Sequence, residues 1–204
     1  MFKHIIWDFD GTLFDTYPIM ARIFQSSLEE HGFHESIEEI LRHMKVSMSQ
    51  TEQHYKDKYS IDDAFLKAFH MKRKDIEVEE SLPFKGIREI CEYIYNSGRF
   101  NYLYTHRGSS SIDLLKKFDL YPFFQDFITS EHRFERKPRP DAINHLVKKH
   151  AMDTEQAIMI GDRDLDLLAG KNAGISSCYF TEETEENPHA DYIITDFTSL
   201  KSII

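Results

Sequence analysis

The chain has 204 residues, 41% of them hydrophobic, which is enough for one large domain or for a domain with a sizeable insertion. The net charge of −10 argues against nucleic acid or an anionic membrane as a partner, and an anionic ligand would need a local device such as a metal ion. Two cysteines make no disulfide framework, acidic residues interrupt the apolar N-terminal run, and no apolar stretch approaches the roughly 18 residues of a membrane span, so we expect a soluble, cytosolic protein.

A strand is predicted at the start of the chain, over Lys3–Phe9. It begins as the apolar run Ile5-Ile6-Trp7 and ends in the segment DFDGT, which contains Asp8 and Asp10. Because side chains alternate along a strand, the two carboxylates are predicted to point to the same side, roughly 7 Å apart along the chain. Gly11 allows a tight turn just beyond the strand. Two carboxylates at this spacing can flank one small group.

The segment from Thr16 to Leu82 is predicted to be helical throughout, with apolar residues at helical spacing such as Met20, Ile23 and Phe24. It is also unusually charged, as in EQHYKDKYS and HMKRKDIEVEE. A long helical insertion directly after the first strand is expected to form a cap over the sheet edge. We therefore predict a cap domain over residues 16–82 and a core domain made of residues 1–15 and 83–204.

Beyond residue 83, short apolar strands alternate with amphipathic helices, a pattern typical of an α/β fold with a parallel, Rossmann-like sheet. The further predicted strands are Phe100–Thr105, Phe127–Thr129, Ala157–Ile160, Ser177–Phe180 and Tyr192–Ile194. The predicted helices between them are Gly86–Asn96, Ser109–Phe118, Pro140–His150 and Asp164–Ala173. Cys91 lies at helical spacing among isoleucines in the first of these helices, so it is predicted to be a core residue.

Polar residues follow four of the predicted strands. In open parallel sheets, ligands bind beyond the carboxyl ends of the strands, so these residues are expected to meet at one edge. They comprise carboxylates, hydroxyls and one ammonium group, in chain order Asp8, Asp10, Thr12, Thr105, Lys137, Asp162 and Asp166.

These clusters resemble the four motifs of the haloacid dehalogenase superfamily, in its phosphatase branch. DFDGT matches the first motif, D-x-D-G-T, and Thr105 at the end of an apolar strand matches the second. Lys137 in KPRPD matches the third motif, and GDRDLD, residues 161–166, matches the fourth, G-D-x-x-x-D. The resemblance covers the chain to about Phe180, with the helical cap as its variable part. DTYP after the first motif and LAGKNAGI after the fourth resemble the phosphoglycolate phosphatase-like group.

The resemblance implies a role for each motif residue. Asp8 would be the nucleophile that forms an aspartyl-phosphate, and Asp10 would act first as general acid and then as general base. Lys137 would place a positive charge on the phosphoryl oxygens and on Asp8, and the Thr105 hydroxyl would donate to another phosphoryl oxygen. Thr12 is a further candidate for substrate binding.

A carboxylate that attacks a phosphate needs its charge neutralised, because unit charges ~4 Å apart interact by about 4 kcal/mol at an effective dielectric near 20. Mg²⁺, a hard cation that binds oxygen ligands, is suited to this task. The resemblance implies that the Asp8 side chain, the Asp10 backbone carbonyl and Asp162 bind it. Asp166 would lie in or next to that shell and orient a metal-bound water or Lys137.

Three other positions each have two possible interpretations, one functional and one structural. Asp15 is expected to cap the helix that begins near Thr16, with a catalytic role as the alternative. His106, next to Arg107 after the second motif, belongs either to a substrate contact or to an ordinary surface turn. Lys45 lies in a stretch, residues 43–47, that is predicted to separate two cap helices; it is a candidate substrate contact, with an ordinary charged loop as the alternative.

The leading hypothesis is a Mg²⁺-dependent phosphatase that hydrolyses a phosphoric monoester of a small metabolite. Only 31 residues lie between Thr105 and Lys137, which leaves no room for a second cap. The alternatives are a β-phosphoglucomutase-like phosphomutase and a nucleotidase or pyrophosphatase of the same superfamily. Dehalogenase chemistry is disfavoured by Asp10 and the complete Asp162/Asp166 pair, and a non-catalytic scaffold is disfavoured because no motif residue is missing. The sequence predicts no oligomeric state.

Overall fold

The structure, a computed structural model, describes residues 1–183 and 186–204, with only the backbone of Asp75. It divides into two compact units. We call the first, Met1–Phe14 with Pro83–Ile204, the α/β unit, and the second, Asp15–Leu82, the helical unit. No helix within the described residues is both long enough and apolar enough to cross a membrane.

The sheets contain eight strands in all among the described residues. They are β1 (His4–Trp7), β2 (Phe14–Asp15), β3 (Leu82–Pro83), β4 (Phe100–Tyr104), β5 (Phe124–Ile128), β6 (Ala157–Gly161), β7 (Ser176–Phe180) and β8 (Tyr192–Ile194). Six form one parallel sheet in the order β5-β4-β1-β6-β7-β8, and the two-residue strands β2 and β3 pair separately. The predicted α/β fold with a Rossmann-like parallel sheet is confirmed.

Strand β1 lies in the middle of the sheet and is buried on both faces. Ile5, Ile6 and Trp7 are completely inaccessible, as expected for a central strand of a parallel sheet that helices cover on both sides. The indole N–H of Trp7 donates to Asn101 Oδ1 at 2.9 Å, and the Asn101 amide in turn donates to the carbonyls of Cys91 and Phe123. Every buried polar group in this chain of contacts is therefore satisfied.

In the described part of the α/β unit, four α-helices accompany the sheet: α5 (Ile87–Asn96), α6 (Ser110–Lys117), α7 (Asp141–Lys149) and α8 (Asp164–Asn172). Each agrees with its predicted helix to within one residue at either end. Cys91 is buried in α5, as predicted. The largest difference is in β5, which starts at Phe124 instead of Phe127, because Phe124 and Asp126 already pair with Asn101 and Tyr102 of β4; the register shifts between these two pairs.

The helical unit contains α1 (Tyr17–Glu29), α2 (Ile37–Val46), α3 (Met48–Tyr59) and α4 (Asp63–Glu80). Its core is aromatic: the ring of Phe24 contacts the rings of Tyr55, Phe65 and Phe69, with centroid distances of 5.1, 5.9 and 4.9 Å. Ser36, Ser47 and Asp62 cap the starts of α2, α3 and α4 by accepting backbone N–H groups.

Two local predictions in this unit are wrong. Residues 43–46, predicted to separate two helices, complete the last turn of α2, and Ser47 alone joins α2 to α3 because it ends one helix and caps the next. Lys45 is therefore an exposed helical residue and not part of a loop. Asp15 lies in β2, and Thr16 occupies the N-cap position of α1 that was predicted for Asp15.

Candidate active site

The motif residues converge at the carboxyl ends of neighbouring strands. Strands β4, β1 and β6 are adjacent in the sheet and in parallel register, so that Trp7 lies opposite both Leu103 and Ile160. The segments that follow the three strands carry Asp8 and Asp10, Thr105, and Asp162 and Asp166. The site is therefore positioned by the order of the strands.

Lys137 is the centre of the cluster. Its ammonium group donates to Asp8 Oδ1 at 2.5 Å, to Asp166 Oδ1 at 2.7 Å and to the Tyr104 carbonyl at 2.9 Å. The side chain of Lys137 is completely inaccessible, and those of Asp8 and Asp166 are 1% and 0% exposed. All three N–H donors of the ammonium are thus used in a water-free environment, where unpaired charges would be very costly.

The environment affects the two carboxylates that contact Lys137 differently. Burial, with the neighbouring Asp166 charge, raises the pKa of Asp8 to about 6 against the opposing effect of Lys137 and Arg163. Burial also disfavours ionised Asp166, but Lys137 and Arg163 outweigh it and hold the pKa of Asp166 below its usual value. For Lys137, the two carboxylates outweigh burial and raise its pKa. The environment thus favours the ionised forms of Asp166 and Lys137, whereas burial disfavours ionised Asp8.

The carboxylates also fit a divalent cation. One oxygen from each of Asp8, Asp162 and Asp166 can be chosen so that all lie within 4.8 Å of one another. Asp8 Oδ2 is buried and accepts no hydrogen bond from any described residue, which leaves it able to bind a cation. Oxygen donors of this kind suit Mg²⁺. The close approach of Asp166 requires glycine at position 161, since a Cβ there would overlap the Asp166 side chain.

The two threonines make contacts inside the site. Thr12, completely buried, donates its hydroxyl to Asp162 Oδ1 at 3.1 Å. Thr105, 2% exposed, accepts the backbone N–H of Arg107 on its hydroxyl oxygen at 3.0 Å. A hydroxyl that accepts one hydrogen bond still has its own hydrogen to donate.

Asp10 has a different environment from Asp8. Its carboxylate is 22% exposed and lies 3.4 Å from Nε of Arg107, whose guanidinium is in turn 5.4 Å from the ring centroid of Phe9. The turn that follows Asp10 uses Gly11 at φ +81°, a left-handed conformation that suits glycine. One carboxylate of the first motif is thus buried against a lysine, and the other is accessible and close to an arginine.

Of the two predictions for His106, the ordinary surface turn is wrong, and the substrate contact stays a prediction. His106 is not part of a surface turn: its ring is partly buried, and Nε2 accepts the backbone N–H of Lys137 at 2.9 Å. An accepting Nε2 carries no proton, so the ring is neutral and its proton lies on Nδ1. Burial, with the charges of Lys137 and Arg136, lowers the pKa of His106 to about 3.

Sequence reasoning missed Arg163, which occupies a variable position inside the fourth motif. Its Nη2 lies 3.6 Å from Asp8 Oδ2 and its Nε lies 3.5 Å from Asp166 Oδ2. One feature of the sequence could have identified it: a cationic residue lies between the two aspartates of the fourth motif. The predicted site residue Lys45 lies in the helical unit, and its contact with a substrate stays a prediction.

Known proteins are similar to this chain over most of its length. The chain is 26% identical over 194 residues to a phosphoglycolate phosphatase of Vibrio parahaemolyticus, covering 86% of this chain and 82% of that protein. It is 25% identical over 210 residues to the pyrophosphatase PpaX of Bacillus pumilus, covering 98% and 95%. A crystal structure described as a predicted phosphoglycolate phosphatase, from Haemophilus somnus, has the same fold, with a TM-score of 0.84 at 21% identity over 99% of this chain and 97% of that one.

A family model described as haloacid dehalogenase-like hydrolase matches residues 5–180. This span contains all four motifs and the helical unit. The chain belongs to the haloacid dehalogenase-like hydrolase family.

Proposed function

We propose that this protein is a Mg²⁺-dependent phosphatase that hydrolyses a small phosphorylated metabolite through an aspartyl-phosphate on Asp8. The observation that carries the proposal is the buried ammonium of Lys137 between Asp8 and Asp166, with Asp162 close by. A cation fixed against a strand-end carboxylate suits a reaction in which negative charge must be neutralised while a bond to phosphorus forms.

In the first proposed step, a carboxylate oxygen of Asp8 attacks phosphorus and the bond to the leaving oxygen breaks. Asp10, protonated at that moment, gives its proton to the leaving oxygen. The partial exposure of Asp10 supports this role, because an acid must reach a substrate atom. Lys137 and the Thr105 hydroxyl stabilise the phosphoryl oxygens.

In the second proposed step, water attacks the phosphorus of the Asp8 phosphoester. Asp10, now ionised, takes a proton from the water, and the bond between phosphorus and the Asp8 oxygen breaks. Inorganic phosphate leaves, and Asp8 returns to its carboxylate form. One residue thus serves as acid and then as base, so the site is reset after each turnover.

Mg²⁺ would be held by the Asp8 side chain, the Asp10 backbone carbonyl and Asp162, and when bound it supplies positive charge that reduces the repulsion between Asp8 and the phosphoryl group. Thr12 orients Asp162 through its hydrogen bond. Asp166 already accepts from Lys137 on one oxygen and from the Arg163 backbone N–H on the other. We therefore assign Asp166 mainly to holding Lys137.

Two substrate classes have support. Phosphoglycolate phosphatases and a pyrophosphatase match this chain at similar identity. Both substrates are small and carry a second anionic group beside the phosphate that is cleaved. His106, which accepts the Lys137 backbone N–H, is proposed to position the loop that carries Lys137. Substrate contacts by His106 and Lys45 and a cytosolic location remain predictions from the sequence.

A substrate panel tests the proposal. Phosphoglycolate, pyrophosphate, a hexose phosphate and a nucleoside monophosphate are each incubated with the protein in Mg²⁺ and in excess chelator, and phosphate release is measured. Hydrolysis of at least one compound that requires the metal and disappears in Asp8→Asn supports the proposal. Interconversion of hexose phosphates without phosphate release would instead indicate a mutase. No metal-dependent hydrolysis of any compound would reject the proposal.

A further inference from the structure

Arg163 occupies the fourth motif between the two aspartates of the site. It is the N-cap residue of α8, in an extended conformation, and its backbone N–H donates to Asp166 Oδ2 at 3.2 Å. This bond fixes the backbone at the start of the helix. The guanidinium extends back over the cluster and lies within 3.6 Å of a carboxylate oxygen of Asp8 and of Asp166.

Lys137 alone does not balance the negative charge of the three carboxylates, so a second positively charged side chain, Arg163, stabilises the cluster. Asp8, Asp162 and Asp166 contribute three carboxylates, and Lys137 balances one of them. The Lys137 ammonium contacts Asp8 through Oδ1, whereas Arg163 faces Oδ2. At 3.6 Å this contact is an ion pair without a hydrogen bond. The guanidinium therefore offsets the negative charge of Asp8 Oδ2 but leaves the lone pairs of that oxygen unused.

We propose that Arg163 is a resident counter-ion of the metal-free site, and that a divalent cation must displace its guanidinium from Asp8 Oδ2 to bind. The inference rests on the proposed function, because it assumes that this oxygen is a metal ligand. Two cations cannot share the oxygen at short range without strong repulsion. Arg163 therefore stabilises the metal-free protein and weakens its affinity for the metal.

The Arg163 side chain is partly exposed to solvent. It is 14% exposed, unlike the completely inaccessible Lys137, so its guanidinium is in contact with solvent. Helix α8 does not depend on that side chain to begin, since the backbone bond to Asp166 remains when the guanidinium moves. Arg163 can thus respond to the metal while Lys137 stays in place.

Calorimetric titration of chelator-stripped protein with Mg²⁺ tests the proposal. In Arg163→Gln, Mg²⁺ is expected to bind about tenfold more tightly than in the wild type, because one competing charge is gone. Thermal unfolding without metal is expected to begin at a lower temperature in the same variant, by about 3 °C or more, since two buried carboxylates lose a counter-charge. Arg139→Gln, which removes an exposed arginine of the same unit, controls for net charge and is expected to leave both values unchanged.

The two readouts separate a counter-ion from a merely structural residue. A structural role would lower the unfolding temperature and leave the Mg²⁺ affinity unchanged or weaker, and that result overturns the proposal. Arg163→Lys, which keeps a charge but loses the guanidinium fork, is expected to have an intermediate affinity. If Arg163→Gln cannot be purified folded, the lysine variant decides: tighter binding than the wild type supports the proposal, and equal or weaker binding overturns it.

Failure of the proposed function gives a different result. A wild-type protein that binds Mg²⁺ but hydrolyses no compound of the panel would reject the phosphatase assignment, while the comparison of affinities would still decide the role of Arg163. Binding to Arg163→Gln but not to the wild type supports the counter-ion role in its strongest form. Absence of Mg²⁺ binding in every variant overturns it.

Discussion

The α/β unit buries a charged cluster in addition to an apolar core, whereas the centre of the helical unit is aromatic. The centre of the α/β unit site is charged: Asp8, Lys137 and Asp166 are at most 1% exposed and contact one another. The centre of the helical unit is apolar, formed by rings such as Phe24 and Phe69. Buried charges are weak contributors to net stability, whereas packed aromatic rings are strong ones. The difference supports the proposal that the α/β unit holds the reactive site at some cost in stability, and it indicates that aromatic packing stabilises the helical unit.

The largest expected effect is the loss of turnover in Asp8→Asn, a nearly isosteric substitution in the charged cluster. Asp8→Asn keeps the shape of the side chain but removes the nucleophile, so kcat is expected to fall by at least about 10⁴-fold. Phosphate release with the best compound of the panel measures it. Asp113→Asn, an exposed position in α6, is the matched control. Turnover within tenfold of the wild type in Asp8→Asn would remove Asp8 from the mechanism.

Removal of the Lys137 ammonium group is expected to lower both the stability and the activity of the protein. Lys137→Met leaves Asp8 and Asp166 buried without their shared partner, and the free energy of unfolding is expected to fall by about 3–5 kcal/mol. Urea unfolding of the metal-free protein measures the loss. Lys148→Met changes an exposed lysine of α7 and serves as control. A variant as stable as the wild type would show that the ammonium is not holding the two carboxylates in place.

A change in the aromatic centre is expected to affect stability alone. Phe24 is completely buried and contacts three rings, so Phe24→Ala is expected to lower the free energy of unfolding by about 3–5 kcal/mol. The Mg²⁺ affinity of the folded variant is expected to stay unchanged, because the proposed ligands lie in the other unit. Met71→Ala, at a 65% exposed position of α4, is the control. A shift in Mg²⁺ affinity would contradict the separation of the two roles.

The smallest expected effect concerns pH. The folded-state pKa of His106 is lowered to about 3, below the unfolded value near 6.5, so the folded protein resists protonation of this ring. Its stabilising contribution is therefore complete above pH 6.5 and is lost as the pH falls toward 3. Between pH 7 and pH 5, the wild type is expected to lose about 2 kcal/mol more unfolding free energy than His106→Gln. Urea unfolding at both pH values tests this, with His145→Gln, an exposed histidine of α7, as control; equal pH dependence of the wild type and His106→Gln would contradict it.

Much of the fold could be predicted because its signals are local. The strand-helix alternation predicts all six strands of the main sheet, since a buried parallel strand is a short apolar run bounded by polar residues. The single-residue junction at Ser47 could not be predicted in this way, because neither glycine nor proline marks it and the helix end depends on the cap that Ser47 provides. The early start of β5 depends on register with β4, which is a tertiary property.

For the site, too, some features could be predicted from the sequence and others depend on tertiary structure. The motif residues could be named because each is tied to the end of a predicted strand. Their individual partners could not, since they depend on which loops meet: Thr12 contacts a residue 150 positions away, and His106 contacts the Lys137 backbone 31 positions away. Arg163 was missed because the motif leaves its position unspecified, and only the fold shows that its guanidinium reaches Asp8.

The covalent intermediate on Asp8 is the most direct test of the mechanism. Asp10→Asn protein is mixed with a substrate of the panel in Mg²⁺, quenched in acid, digested and examined by tandem mass spectrometry. This variant lacks both the acid of the first step and the base of the second. With a substrate whose leaving group needs little acid assistance, such as pyrophosphate, the second step is slowed more than the first, so phosphate is expected to accumulate on Asp8. Phosphate on another side chain, or substrate turnover in which the Asp8 peptide never carries phosphate, would contradict the account.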